Sequence, residues 1–251
     1  MSRRFSVMGQ SPEPQTSRQW WADGERAVAG LVAGLTDDDL AAPSTLPDWT
    51  RAHVVAHLAR NADALGNLLS WARTGVEKRM YPSREDRNAG IATTAALPPA
   101  QLLTDYADAA GRFAEAVETM PEAAWAGEVR TMLDRPVPGT EVPWMRAKEV
   151  WVHGVDLAAG LTFADLPADF CTALVDDVLG LFAERGQPLE ATVTATDVGR
   201  TWGSGGPAVS GPVCAVAAWL TRDWPAVKRG LANRGSPLPS WTKQVTRFGP
   251  A

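Results

Sequence analysis

The residues best placed for chemistry are a carboxylate and an imidazole four positions apart. They are Glu149 and His153, in the run Arg146-Ala147-Lys148-Glu149-Val150-Trp151-Val152-His153-Gly154-Val155-Asp156. On a helix, side chains at i and i+4 leave the same face one turn apart. Such a pair offers a divalent metal two donors, and a catalytic site needs a third. The chain has 3 histidines. The other two, His53 and His57, share a second helical pattern, Thr50-Arg51-Ala52-His53-Val54-Val55-Ala56-His57-Leu58. Two histidines and a glutamate from two helices suit a catalytic zinc site, with one position left for water or a thiol. A lone inward histidine is more often an ordinary core residue. The match with Glu149 and His153 favours a ligand here.

Four helical patterns must position these groups. The first is capped by Thr16 or Ser17 and runs to about Leu35, with Trp20, Ala27, Leu31 and Leu35 at helical spacing. The second begins after Thr50 and runs to about Arg73, where Thr74-Gly75 ends it. Val54, His57, Asn61, Ala64 and Leu68 form its inward stripe, and His53 lies close to that stripe. Spacing alone leaves either histidine available to a metal. Pro98 or Pro99 opens a third helix to about Thr119, and Pro143 opens a fourth from about Trp144 to Ala159. Val76 to Leu97 reads as a polar, turn-rich connection, and Trp125 to Thr140 as an irregular one.

After Gly160 the pattern changes to a helix over Pro167 to Glu184 and a strand-like alternation over Glu190 to Thr196. Gly-rich turns, a short Ala208-Val209-Ser210 strand and an apolar helix over Val213 to Leu220 follow. The expected fold is mainly α: a four-helix bundle over residues 16–162, then a small α+β domain over 163–251. Met1 to Gln15 reads as a disordered leader, without the apolar segment of a secretion signal.

The 251 residues carry a net charge of -5, which argues against nucleic-acid binding, since phosphates call for a basic surface. No apolar run is long enough to span a bilayer. Cys171 and Cys214 lack CxxC spacing, so a reducing cytoplasm is expected, with both thiols buried as small apolar groups. The 11 tryptophans supply large buried area per residue.

The chain resembles the mycothiol-dependent maleylpyruvate isomerase family, a branch of the DinB-like metal-binding four-helix bundles. The resemblance rests on Leu46-Pro47-Asp48-Trp49-Thr50 leading into His53 and His57, on Ser70-Trp71-Ala72-Arg73-Thr74-Gly75, and on Pro143 to Leu157. Tyr81, Ser83, Arg87 and Asn88 look like the family's linking segment and point to the isomerase branch. By position, the resemblance implies zinc held by His57, Glu149 and His153, and it matches His53 to a histidine that is not a ligand. It also implies a basic residue late in the chain that binds anionic substrate or thiol. Arg222 is the nearest candidate, although the family's Gly-Arg is replaced by Thr221-Arg222-Asp223.

The implied reaction is cis–trans isomerisation of maleylpyruvate to fumarylpyruvate by reversible addition of a thiolate. The cofactors are Zn2+ (or another divalent metal) and mycothiol. Arg222 or Arg87 would pair with substrate carboxylates, and Asp156, three residues after His153, would orient an imidazole. Other readings remain: a mycothiol S-transferase using the same site on other electrophiles, a non-catalytic bundle stabilised by its metal, or a metal-free bundle. The expected partners are a small substrate and a low-molecular-weight thiol, bound by a monomer, with no nucleic acid and no membrane.

Overall fold

A computed structural model describes residues 12–222. The remainder of the expected leader, Met1 to Ser11, and everything after Arg222 lie outside the described residues. The chain divides into two compact units, with the boundary in sequence between Leu161 and Thr162. No helix among the described residues is long and apolar enough to cross a membrane.

The first unit is a bundle built on four long helices: α1 (Pro14–Ala33), α3 (Arg51–Thr74), α5 (Pro99–Glu118) and α6 (Val142–Asp156). A short helix, α2 (Asp37–Ala41), follows α1 and is capped by Thr36, whose hydroxyl accepts from Asp39 N–H. Helix α1 starts at Pro14, earlier than the Thr16 or Ser17 cap expected from sequence, because proline suits the first helical turn. Helix α3 ends where Gly75 takes a left-handed φ of 72°.

The stretch from Val76 to Leu97 is not wholly a loop. It contains helix α4 (Arg84–Ala95), which packs on α3. Its start is set by the Ser83 hydroxyl, which accepts from Asp86 N–H at 3.0 Å. Its low apolar content hid it from a periodicity reading. Similarly, the connection before α6 holds a small antiparallel ribbon of β1 (Glu128–Arg130) and β2 (Pro136–Pro138). The reversed chain between them turns at Asp134, with φ 60°.

Helix α6 packs against α1 and α3, and α3 packs against α5. The α1–α6 contact depends on small residues. A methyl group at Gly24 would sit 2.8 Å from Trp151 Nε1 and from Val150 Cγ2, and one at Gly154 would sit 2.6 Å from Val28 Cγ2. The observed inward face of α1 is Ser17, Trp20, Trp21, Gly24, Val28 and Val32. Only Trp20 of the expected stripe Trp20, Ala27, Leu31 and Leu35 belongs to it. Trp151 Nε1 donates to Trp20 O across this contact at 2.8 Å. Gly24→Ala is therefore expected to displace the Trp151 indole and destabilise the protein by about 1–3 kcal/mol in urea unfolding. An unchanged midpoint would show that α1 and α6 can separate freely.

The second unit comprises helix α7 (Ala168–Glu184), strands β3 (Thr192–Ala195), β4 (Arg200–Trp202) and β5 (Ala208–Gly211), and helix α8 (Val213–Arg222). The strand order is β4-β3-β5, with β4 antiparallel and β5 parallel to β3. Helices α7 and α8 pack on each other, and Phe170, Leu174 and Val216 are among their buried residues. Cys171 and Cys214 are both free and buried. The mainly α class, a bundle followed by a small α+β unit, is the one expected from the sequence.

Candidate metal centre

His57 reaches the bundle interior from α3, and Glu149 and His153 meet it from α6. One donor atom from each lies within 4.8 Å of the others. His57 Nε2 and Glu149 Oε2 are 2.8 Å apart, and His153 Nε2 is 3.5 Å from the same oxygen. The two imidazoles meet edge to face, with centroids 4.4 Å apart. A tetrahedral zinc ion with bonds of about 2.0–2.1 Å holds its donors about 3.3 Å apart. The observed separations bracket that value, and the donor set is the nitrogen and oxygen chemistry zinc accepts. The residues therefore fit a divalent metal, and three donors leave one position open.

The surroundings orient the donors. His153 Nδ1 forms a close ion pair with Asp156 Oδ2 at 2.8 Å, which leaves Nε2 on the side of the cluster. Asp156 is fully buried, not a solvent-facing helix residue, and accepts from Thr45 Oγ1 at 3.0 Å. Backbone pairing of Thr45 N–H with Asp156 O, at 3.0 Å, fixes that loop on the end of α6. On the other side, the Arg87 guanidinium lies 3.4 Å from His57 Nδ1 and donates to Asn88 Oδ1 at 3.0 Å.

His53 has a different task. Thr50 N–H donates to His53 Nδ1 at 3.3 Å, so this ring turns back to the start of α3 and helps cap it. The Trp49 ring neighbours both histidines, its centroid 6.0 Å from that of His53 and 5.8 Å from that of His57.

Burial and neighbouring charge set the protonation of the cluster. Burial, reinforced by the nearby His153 charge, lowers the His57 pKa to about 4, leaving its imidazole neutral at pH 7. Burial alone would raise the Glu149 carboxyl, but hydrogen bonds from His153 and His57 outweigh it and hold the group well below the usual carboxylate range. Burial also opposes charge on His153, yet Asp156 and Glu149 overcome it and raise its pKa. A metal must then displace a proton from His153, and affinity falls as the pH drops. Zinc uptake is expected to release a proton from His153 to a growing extent as the pH falls, detectable by calorimetry in buffers of different ionisation enthalpy. Equal heats in all buffers would contradict this charge assignment. Asp156→Asn should weaken zinc binding by about 10- to 100-fold in a competition titration. Unchanged affinity would reduce Asp156 to a packing residue.

A second polar group, missed in the sequence, ties the four long helices together beside the cluster. Arg146, fully buried on α6, donates through Nε and Nη2 to both carboxylate oxygens of Glu25 on α1, at 2.9 and 3.0 Å. Its Nη1 donates to Leu58 O and Asn61 Oδ1 on α3, at 2.8 and 2.9 Å. Tyr106 on α5 donates to Glu25 Oε1 at 3.1 Å. Arg146 stands one turn before Glu149, and Leu58 follows His57. The arginine thus sets the α3–α6 register that brings the ligands together. Its spacing to Glu149 is the signal that could have singled it out.

Arg222 belongs to the second unit. It is buried at the last described turn of α8, where its Nη1 donates to Thr221 O at 3.1 Å.

The fold and the cluster define a four-helix bundle with a potential two-histidine, one-carboxylate metal site. Residues 21–158 match the model of the mycothiol maleylpyruvate isomerase N-terminal domain, and the chain belongs to that family. The crystal structure of a mycothiol-dependent maleylpyruvate isomerase superposes with a TM-score of 0.84 at 28% identity, covering 92% of this chain and 97% of that one. A histidine-to-alanine variant of that enzyme matches equally well. Two curated relatives from Mycobacterium tuberculosis, both described as uncharacterized proteins, are 31% identical over 138 residues, or 52% of this chain. The match spans about half the length of these relatives, 51%.

Proposed function

We propose that the protein is a zinc- and mycothiol-dependent isomerase that converts maleylpyruvate to fumarylpyruvate. The observation that carries this reading is the convergence of His57, Glu149 and His153 donors from two facing helices within 4.8 Å. The TM-score of 0.84 to an isomerase of that name supports the reaction assigned to it. Three protein donors suit a catalytic metal, whereas structural zinc is usually closed by four.

A metal bound here supplies Lewis acidity that keeps a thiol ionised at neutral pH, and the thiol supplies the nucleophile that relieves the double bond. The protein's own groups set the conditions. Neutral His57 holds Nε2 beside Glu149 Oε2, the atom through which it would ligate the metal. Asp156 keeps His153 turned inward, and the buried walls of α3 and α6 exclude water. Arg87, buried beside His57, binds a substrate carboxylate. Arg222 is assigned the same task toward substrate or thiol, from a C-terminal domain over 163–251 that follows the bundle domain of 16–162. The protein works as a monomer in the cytoplasm.

The same site could carry mycothiol S-transfer to another electrophile, so product analysis decides. Metal-loaded protein, mycothiol and maleylpyruvate are expected to yield fumarylpyruvate with mycothiol regenerated. Accumulation of a stable mycothiol conjugate, or no product, would reject the isomerase assignment.

A further inference from the structure

The hydroxyl of Tyr81 stands out among the polar groups near the cluster. Its ring is half-buried, but the oxygen is shut off from solvent and has no hydrogen-bond partner among the described residues. A buried hydroxyl without a partner carries a desolvation cost, and in native proteins such a group calls for an explanation. Tyr81 lies just before the Ser83 cap of α4, the helix that carries Arg87 to His57. Burial raises its pKa, so the phenol keeps its proton at neutral pH and can only gain from an acceptor. Among charged groups, Arg87 acts on it most strongly, followed by Glu149. Tyr81 also lines a surface pocket with Arg79, Arg84 and Arg130, which give that pocket a cationic rim.

We propose that the Tyr81 hydroxyl and the Arg87 guanidinium form a donor pair that receives a carboxylate of the substrate beside the metal cluster. This inference rests on the proposed function for the location of the site. Arg87 provides the charge. Tyr81 provides a directional hydrogen bond, and the carboxylate supplies the acceptor that the hydroxyl lacks in the free protein. A planar anion held by two donors is fixed in orientation as well as in place, which a single arginine does not achieve. Tyr81 therefore acts as a substrate-positioning residue and leaves metal binding untouched.

Maleate, a small cis-dicarboxylate, serves as the probe. Binding is measured by calorimetry for the full chain and for Tyr81→Phe, each with and without zinc. Maleate affinity is expected to fall by about 10- to 100-fold in the variant in both zinc states, the range of one hydrogen bond to a charged acceptor. Zinc affinity and the melting temperature of the ligand-free protein should hold, because the hydroxyl has no partner to lose. The chain has only 2 tyrosines, Tyr81 and Tyr106. With ring-labelled tyrosine, maleate should therefore shift one NMR signal, the one absent from Tyr81→Phe. Equal maleate affinity in the two proteins, a static Tyr81 signal, or no maleate binding in either zinc state would each overturn the proposal. Failure to bind zinc would reject the metal-dependent function while leaving the maleate comparison intact.

Discussion

Replacing Arg146 by leucine is expected to destabilise the bundle by about 3–5 kcal/mol, the usual consequence of removing one member of a buried ion pair. The loss has several parts. Among the described residues, Glu25 would keep only the Tyr106 and Trp21 donors, the latter at 3.2 Å. Leu58 O and Asn61 Oδ1 would lose a charged donor in the interior of α3. Arg146 itself is held as a cation despite its burial, because Glu25 offsets the desolvation. The effect should extend to function, since α3 and α6 would lose the clamp one turn from Glu149. Urea unfolding measures the stability, and a zinc titration measures the register. The double replacement Arg146→Met with Glu25→Met should recover much of the stability, because it leaves no buried charge alone. A loss below about 1 kcal/mol in the single variant would mean that water reaches this group and that its role is peripheral.

His57→Ala is expected to carry the largest effect on activity. Structural zinc binding of about 10–16 kcal/mol shared over four ligands is about 3 kcal/mol per ligand, or about two orders of magnitude in affinity. Turnover should fall to the uncatalysed rate at any zinc concentration that leaves the site empty. The informative control is His53→Ala. That residue caps α3, so its loss should cost about 1 kcal/mol of stability with zinc affinity unchanged. The two histidines lie one turn apart on one helix, so equal effects from both variants would contradict the division of labour between them. Variant proteins must be compared at equal folded fraction, which circular dichroism provides.

Much of this was legible in the sequence because it rests on local rules. Glu149 and His153 are one turn apart on any helix, and Gly75 ends α3 as a left-handed glycine does elsewhere. The inward stripe Val54, His57, Asn61, Ala64 and Leu68 is buried throughout. Four features were not legible, each for a physical reason. The face of α1 differs from its hydrophobic pattern because Gly24 contributes close approach and not apolar surface. Helix α4 is too polar to show periodicity, and its cap, Ser83, looks like loop material. The choice between His53 and His57 is invisible to spacing, since it depends on the Thr50 amide taking one ring for the helix start. Arg146 and Glu25 are 121 positions apart, and nothing in the local pattern of either announces the other.

The central claim is that His57, Glu149 and His153 hold a metal whose open position accepts the thiol. X-ray absorption at the zinc edge of the loaded protein, before and after mycothiol is added, tests it most directly. Without the thiol, the spectrum should show only nitrogen and oxygen neighbours at about 2.0–2.2 Å, with the imidazole scattering of two histidines. Mycothiol should add one sulfur at about 2.3 Å. His57→Ala should lose the two-imidazole signature. A spectrum with no sulfur at saturating mycothiol, or with the same imidazole scattering in wild type and His57→Ala, would contradict the site and the chemistry assigned to it.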